Sequence, residues 1–141
     1  MVFDSGSVAD THALARLAGD KVAWLTSVTP AGQPQSFPVW FLWEEGEVLV
    51  YSSTKAKRNA NLAINPRVSL HLEGDGDGGD LVILEGIARV DATTPAPDEH
   101  PAYMAKYRDA MISDLGSVER FLEEYLVPVR ITPTRGRATG A

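Results

Sequence analysis

A stretch from residue 51 to residue 66 contains the residue types expected of an anion-binding site. The apolar run at 48–51, which is typical of a β-strand, leads into the hydroxyl residues Ser52 and Ser53. Three cations then follow within four positions, where a short helix is predicted to begin: Lys55, Lys57 and Arg58. Cations oppose the positive end of a helix dipole, so they gain stability there only when an anion is present. Hydroxyls, backbone N–H groups and cations at a strand-to-helix junction therefore predict a phosphate-binding site.

The same three cations also fit a solvated positive face on a surface helix, which is what a run of charges usually forms. Both interpretations stay open at this point. The chain as a whole is acidic, because its 141 residues carry a formal net charge of −6 and no other basic stripe. Nucleic-acid binding needs a broad phosphate-neutralising surface. We therefore expect no nucleic-acid partner.

Elsewhere the sequence lacks the spacing of a catalytic or metal-binding site. The chain has no cysteine, which excludes thiolate nucleophiles, disulfides and cysteine-based metal sites. Its three histidines are far apart and are predicted to be structural: His12, His71 and His100. The segment from Asp75 to Gly79 has glycine where a calcium loop needs an oxygen ligand, so we interpret it as a hairpin tip. With no catalytic residue and no metal site, a phosphate-binding segment suits a protein whose reactive atoms belong to a bound cofactor.

Three tryptophans give the first two predicted strands a high aromatic content: Trp24, Trp40 and Trp43. Core packing is the ordinary role of such residues, and we assign it to Trp24. Trp40 stands beside Phe41 in a strand that also contains Pro38. Its indole is therefore a candidate both for the core and for the wall of a site that holds a flat heterocycle.

The hydrophobic pattern predicts short strands joined by tight turns, with few helices. Six strands are expected, at about 22–28, 34–43, 48–53, 67–73, 80–91 and 126–132. Helices are expected at about 10–18, 56–64 and 98–125. Asp10 or Thr11 is the predicted N-cap of the first, and the last is predicted to break near Gly116 with Ser117 as a new N-cap. Pro38 places its strand at an edge or a bulge. The pattern indicates a mainly β fold with flanking helices, a small closed or partly closed β-barrel.

Length and composition indicate a single domain over residues 1–141, with a core at about 10–132 and short flexible ends. An apolar content of 44% is ordinary for a soluble globular protein. The sequence has no apolar run of about 18 residues and no signal-peptide pattern at its start. We therefore expect a cytoplasmic protein with no membrane partner.

These features together resemble the pyridoxamine 5′-phosphate oxidase-like split-barrel superfamily, and most closely its actinobacterial branch that uses the deazaflavin coenzyme F-420. The resemblance spans about residues 10–132. Five segments carry it, of which the central one is the most specific: 22–28, 38–41, 51–70, 84–88 and 129–135. In the flavin oxidases of the superfamily, a Tyr-Thr pair ends a strand, and a Ser-Arg-Lys triplet five residues on holds the FMN phosphate. Tyr51-Ser52 and Ala56-Lys57-Arg58 stand at these places here.

Two departures from the flavin-oxidase pattern favour the deazaflavin branch. Those oxidases have an arginine at the start and a lysine at the end of the strand before the phosphate segment, where this chain has Ser36 and Phe41. The chain also lacks their terminal signature of tryptophan and arginine, so pyridoxal phosphate synthesis is not expected. The strand from Ser36 to Phe41 is closer to that of the deazaflavin branch.

The resemblance implies a six-stranded split β-barrel of the FMN-binding type, assembled as a homodimer with a cofactor groove at the subunit interface. It implies an oxidoreductase that uses coenzyme F-420 to transfer a hydride to or from a small organic substrate. In such a site the cations hold the phosphate and acidic tail, the hydroxyls donate hydrogen bonds and the backbone of one strand lines the ring. The implied cofactor-binding residues are Ser36, Val39, Trp40, Ser52, Ser53, Lys55, Lys57 and Arg58. The alternatives are an FMN-dependent oxidase or reductase of the same fold and a non-catalytic cofactor-binding protein.

Overall fold

The structure is a computed structural model and describes residues 2–140. It contains four α-helices: α1 Val8–Gly19, α2 Arg58–Ile64, α3 Pro101–Leu115 and α4 Val118–Leu122. Seven strands make up the rest of the framework: β1 Val22–Val28, β2 Pro34–Trp40, β3 Leu42–Glu44, β4 Glu47–Ser53, β5 Arg67–Leu72, β6 Val82–Val90 and β7 Tyr125–Ala138. A short 3-10 turn at Pro97–Glu99 precedes α3. None of the helices in this described range is long and apolar enough to cross a membrane.

The seven strands form one antiparallel sheet that curls into a half-open barrel. Their order is β2-β1-β5-β6-β7-β4-β3, so β2 and β3 are its two edges. Only Phe41 separates these edge strands along the chain, and the sheet must therefore curl until they meet. Both backbone polar groups of Phe41 make hydrogen bonds at this corner. Its N–H donates to Tyr107 Oη at 2.8 Å, and its carbonyl accepts from Lys106 Nζ at 2.9 Å.

Two apolar clusters lie on opposite faces of β4, because successive side chains of a strand point to opposite sides. Val48 and Val50 belong to the barrel core, which α1 closes at one side with Ala13 and Leu17. Leu49 and Tyr51 belong to a second cluster, formed with the buried residues of α3 and α4. Those of α3 are spaced four residues apart and share one helix face: Tyr103, Tyr107 and Met111. The second cluster holds the helices α3 and α4 against the outside of the barrel wall.

The strand count differs from the six that the sequence predicts. The segment at 34–43 is two strands rather than one, because the chain turns at Phe41 from one edge of the sheet to the other. Pro38 lies in the edge strand β2, as predicted. The last strand is also longer than predicted: it runs to Ala138 because its second half pairs with β6, from Glu85↔Arg135 to Val82↔Ala138. The sequence predicts a strand that stops at about residue 132, with a short flexible end beyond it.

The predicted N-cap of α1 and the predicted burial of Trp24 are wrong, and the predicted helix break near Gly116 is confirmed. The N-cap of α1 is Ser7, whose side chain accepts from the Asp10 N–H, rather than Asp10 or Thr11. Trp24 lies on the outer face of β1, where it is only half-buried and its indole N–H donates to Glu73 Oε1 at 2.8 Å. The predicted break between the last two helices is confirmed, with Gly116 in the left-handed region and Ser117 capping α4.

Candidate functional site

A large cleft opens where β4 leads into α2, at the segment that the sequence singles out. Its volume is about 700 Å³. We call it the cationic cleft, after the residues of its wall that matter here: Ser36, Phe37, Ser53, Lys55, Lys57 and Arg58. One side of the cleft is the exposed edge strand β2, and the other is the turn that joins β4 to α2.

The turn between β4 and α2 is organised by Ser53. Its hydroxyl accepts from the Lys55 N–H at 3.1 Å, and its carbonyl accepts from Ala56 N at 3.1 Å and from Asn59 Nδ2 at 2.9 Å. Because the Ser53 hydroxyl is used here as an acceptor, its own proton stays available as a donor. The helix that follows has no side-chain N-cap, since Lys57 stands at that position.

The three cations of the cleft differ in their surroundings. The Lys55 side chain is 83% exposed and lies 3.5 Å from Glu124 Oε1. Lys57 is exposed, and in the described part of the chain no carboxylate lies within ion-pair distance of it. Arg58 is half-buried, with its guanidinium 5.2 Å from the centre of the Phe37 ring. Burial lowers the pKa of Arg58 from its ordinary value, but a guanidinium stays charged at neutral pH. Arg58 is thus the desolvated cation of the site.

Within residues 2–140, four buried side-chain polar atoms have no hydrogen-bond partner: Ser52 Oγ, Arg58 Nε, Asn59 Oδ1 and Tyr103 Oη. Three of them belong to the junction of β4 and α2, and the fourth lines a cavity that Arg58 also lines. A buried polar group left without a partner costs about 1–3 kcal/mol. Such groups call for a reason. An anionic ligand can accept from the Arg58 N–H and the Tyr103 O–H, which both line this cavity, whereas Asn59 Oδ1 is an acceptor that an anion leaves unpaired.

A second cavity of about 220 Å³ adjoins the cleft. It shares Phe37, Arg58 and Tyr125 with the cleft, and its further walls include Trp40, Tyr103 and Phe121. We call it the aromatic pocket. The Trp40 indole is stacked on the ring of Phe121, at 5.6 Å between centres, and Phe121 is stacked on Tyr125 at 4.7 Å. Aromatic walls of this kind suit a flat, apolar ring system.

The phenols around the pocket are neutral at physiological pH. Burial raises the pKa of Tyr51 to about 12, and it raises the pKa of Tyr103 further. The pKa of Tyr125 is also raised, by burial and by the neighbouring Glu124. The Tyr51 hydroxyl donates to the Pro95 carbonyl at 2.6 Å and is therefore already used. Tyr103 retains an O–H group that can donate to a ligand.

The structure brings most of the predicted site residues together. Ser36, Ser53 and the three cations line the cleft, and the Ser36 hydroxyl is 2.7 Å from Thr26 Oγ1. Val39 and Trp40 line the aromatic pocket instead. Ser52 lines neither cavity and is 0% exposed, because it lies on the opposite face of β4 from Ser53.

The histidines lie elsewhere, each with a local partner. His12 Nε2 is 2.9 Å from Asp80 Oδ1, and His71 Nδ1 is 3.0 Å from its neighbour's carbonyl. His100 caps α3, and its Nε2 is 3.1 Å from Glu44 Oε2. None of them lines the cleft or the pocket.

Sequence reasoning missed the aromatic residues that complete the pocket: Phe37, Tyr103, Phe121 and Tyr125. The four-residue spacing of Tyr103 and Tyr107 predicts a buried helix face, and this signal was available in the sequence. It says nothing about which strand that face covers. The contact of α3 and α4 with the end of β2 and the second half of β4 is a tertiary one.

Comparison with known proteins identifies the same fold around this site. The family described as pyridoxamine 5′-phosphate oxidase matches residues 9–138. An F420 reductase structure superposes with a TM-score of 0.65 at 22% identity, over 87% of this chain and 94% of that one. HutZ, the heme storage protein from Vibrio cholerae, gives 0.65 at 16% identity over 94% and 95% of the two chains. A FAD-binding protein from Mesorhizobium loti gives 0.64 at 17% identity over 92% and 90%.

At these identities the solved structures establish the fold alone, which is the mainly β split barrel that the sequence predicts. The family match is of a different kind, because it covers nearly the whole described chain, from α1 to the end of β7. The protein is therefore a member of the pyridoxamine 5′-phosphate oxidase family.

Proposed function

We propose that this chain is an oxidoreductase that binds coenzyme F-420 in the cationic cleft and transfers a hydride to or from a small organic molecule. The observation that carries the proposal is the presence of three cations in the wall of one large cleft, one of which, Arg58, has a buried Nε without a hydrogen-bond partner in residues 2–140. Membership of an oxidase family and a fold shared with an F420 reductase support a redox cofactor.

In this proposal, Arg58 and Lys57 bind the phosphate, because neither has a carboxylate partner of its own within residues 2–140. Lys55 leaves its ion pair with Glu124 and pairs with the acidic tail of the cofactor instead. The loss of the Glu124 ion pair costs little free energy, because the Lys55 side chain is almost fully exposed. Ser53 donates its free hydroxyl proton. Ser52 stays a predicted donor, although its buried hydroxyl is on the far face of the strand.

The ring of the cofactor is assigned to the side of the cleft formed by β2. The coenzyme, when bound, supplies the hydride chemistry, and the protein orients it and keeps water away. The backbone from Ser36 to Trp40 is in reach of such a ring, since this edge strand lines both cavities. Phe37 and Phe121 provide apolar surface on which the reacting molecules exclude water.

We also propose that the protein is a homodimer in which the partner completes the groove. Phe37 is 58% exposed at the mouth of the cleft, and β2 is exposed along most of its length. An exposed aromatic residue on an unpaired edge strand is surface that a second chain can cover. Sedimentation at micromolar concentration is expected to give about twice the 15.2 kDa chain mass. A clean monomer would contradict the dimer.

A cytoplasmic location stays a prediction.

Two other functions have an observation in their favour. The family match itself favours an FMN-dependent oxidase or reductase of the same fold. A fold shared with a heme storage protein favours a non-catalytic binding protein. We rank both below the deazaflavin enzyme, because Ser36 and Phe41 replace the arginine and lysine of the flavin oxidases that the chain resembles.

Titration of the purified protein with F-420 and with FMN separates these candidates. We expect F-420 to bind at least tenfold more tightly, as measured by quenching of its fluorescence. A flavin absorption band that is retained through gel filtration would favour FMN instead. Tight binding of F-420 without turnover of its reduced form, tested on a panel of small organic acceptors, would favour the binding protein.

A further inference from the structure

The aromatic pocket carries one positive charge and no negative one. Of the residues in the described range 2–140 that line it, Arg58 is the only charged one. Across residues 2–140 the guanidinium takes part in no ion pair, and its buried Nε has no hydrogen-bond partner. A partly desolvated cation is costly unless an anion pairs with it. The charge of this pocket therefore favours an anionic ligand over a neutral or cationic one.

A second hydrogen-bond donor lines the same pocket. Tyr103 is fully buried, and its hydroxyl finds no partner in the described chain. Its pKa is raised by burial, so the group stays protonated and can donate. Arg58 and Tyr103 together form a donor pair that suits the two oxygens of one carboxylate, which accepts several hydrogen bonds.

The remaining walls are aromatic or aliphatic, and the space between them is limited. A cavity of about 150 Å³ is known to hold benzene. The pocket, with about 220 Å³, therefore has room for one ring with a short side chain. Trp40 is stacked on Phe121 and Tyr107, and Phe121 is also stacked on Tyr125, so a ring in the pocket packs against the parts of Trp40 and Phe121 that these contacts leave uncovered.

We infer that the aromatic pocket binds a planar, ring-bearing monocarboxylate, with the carboxylate paired to Arg58 and Tyr103 and the ring packed among Trp40 and Phe121. As the small organic substrate of the enzyme, this molecule would lie beside the cofactor ring, a role that rests on the proposed function. Arg58 can serve both ligands, because it lines both cavities and a guanidinium has five N–H donors.

Benzoate and its neutral analogue benzamide test the inference on the cofactor-free protein by isothermal titration calorimetry. The two probes have the same shape and differ in charge. We expect benzoate to bind at least tenfold more tightly than benzamide. Arg58→Gln is expected to lower the benzoate affinity at least tenfold, and Tyr103→Phe about fivefold. Equal binding of the two probes, or an unchanged benzoate affinity in Arg58→Gln, would overturn the inference.

Lys57→Gln separates the pocket from the cleft, since Lys57 lines only the cleft. We expect it to leave the benzoate affinity within threefold while it weakens the binding of inorganic phosphate. A benzoate loss as large as that of Arg58→Gln would place benzoate in the cleft and overturn the inference. Titration of the same variants with F-420 tests the cofactor separately. F-420 binding without benzoate binding would refute this inference alone, and benzoate binding without F-420 binding would refute the cofactor alone.

Discussion

Two polar regions on the α3 side of the barrel differ in how completely their hydrogen bonds are made. The first is a cluster formed by Glu44, His100 and Arg130. Glu44 Oε2 accepts from Arg130 Nη1 at 3.0 Å and from His100 Nε2 at 3.1 Å. His100 Nδ1 accepts from the Tyr103 N–H, which caps α3. The Arg130 Nε donates to Thr94 Oγ1 at 3.0 Å. This cluster ties β3 and β7 to the start of α3 and is satisfied by the chain itself.

The second region is the junction of β4 and α2 with the adjoining aromatic pocket. It contains every buried side-chain polar atom that has no partner within residues 2–140. Its arginine stands over a phenylalanine ring, whereas Arg130 in the first region has a carboxylate partner. The two arginines are the same residue type with different tasks. Arg130 is paired within the fold, whereas Arg58 Nε has no partner in residues 2–140 and Arg58 is the arginine that we propose binds a ligand.

The comparison predicts that a loss of charge at the second region affects binding far more than stability. In the double variant Lys57→Glu with Arg58→Glu, two attractions for an anion become two repulsions. Each charge-assisted contact contributes about 1.5–3 kcal/mol, so the F-420 affinity is expected to fall at least a hundredfold. Fluorescence titration measures this loss, and thermal denaturation measures stability on the same protein.

The matched control for the double variant is Arg135→Glu with Arg137→Glu. These two arginines are exposed on β7, line neither cavity and undergo the same change of charge. We expect the control to bind F-420 within about threefold of the wild type. A folded Lys57→Glu/Arg58→Glu variant with unchanged affinity would show that the cations are only a solvated face.

Two tyrosines one helical turn apart in α3 give the sharpest test for stability. The Tyr107 hydroxyl accepts from the Phe41 N–H and donates to the Lys21 carbonyl at 2.6 Å, whereas the Tyr103 hydroxyl has no partner within residues 2–140. Tyr107→Phe leaves buried backbone groups unpaired and is expected to lower the free energy of unfolding by about 1–3 kcal/mol. Tyr103→Phe removes an unsatisfied group and is expected to be neutral or slightly stabilising. Denaturant unfolding of both variants measures this difference. An equal loss of unfolding free energy in the two variants would mean that the Tyr103 hydroxyl has a hydrogen-bond partner.

The smallest expected effect is a pH dependence that arises at the barrel corner, away from both regions. Burial and the nearby Lys21 lower the pKa of Lys106 to about 8, from an ordinary value of 10.5. Between these values the unfolded chain binds a proton that the folded chain does not, so stability rises with pH. The raised pKa values of the buried tyrosines act in the opposite direction above about pH 10. We expect the free energy of unfolding to increase modestly from pH 8 to 10, and this increase to be absent in Lys106→Met.

Much of the framework was open to prediction from local patterns. The alternation along 22–28, the turn signals before and after it and the Gly116-Ser117 break all gave elements at the right places. Local patterns failed where the end of a strand depends on pairing with another strand that is distant in the sequence. The end of β7 is polar and resembles a flexible tail, yet its four residues at 135–138 pair with β6. A strand boundary that depends on a partner far along the chain has no local signature.

The sequence by itself determined the cations, their order after a strand and the absence of a cysteine or a regular metal-binding pattern. It thereby favoured an anionic ligand, which is the class that we propose, because charge and hydrogen-bond type belong to the residues. Only the tertiary structure decided which cation is buried, which carboxylate takes Lys55 and which aromatic rings stand beside Arg58. Burial and ion-pair partners depend on which distant segments the curled sheet brings together, and that is a property of the whole barrel and not of any one stretch of chain.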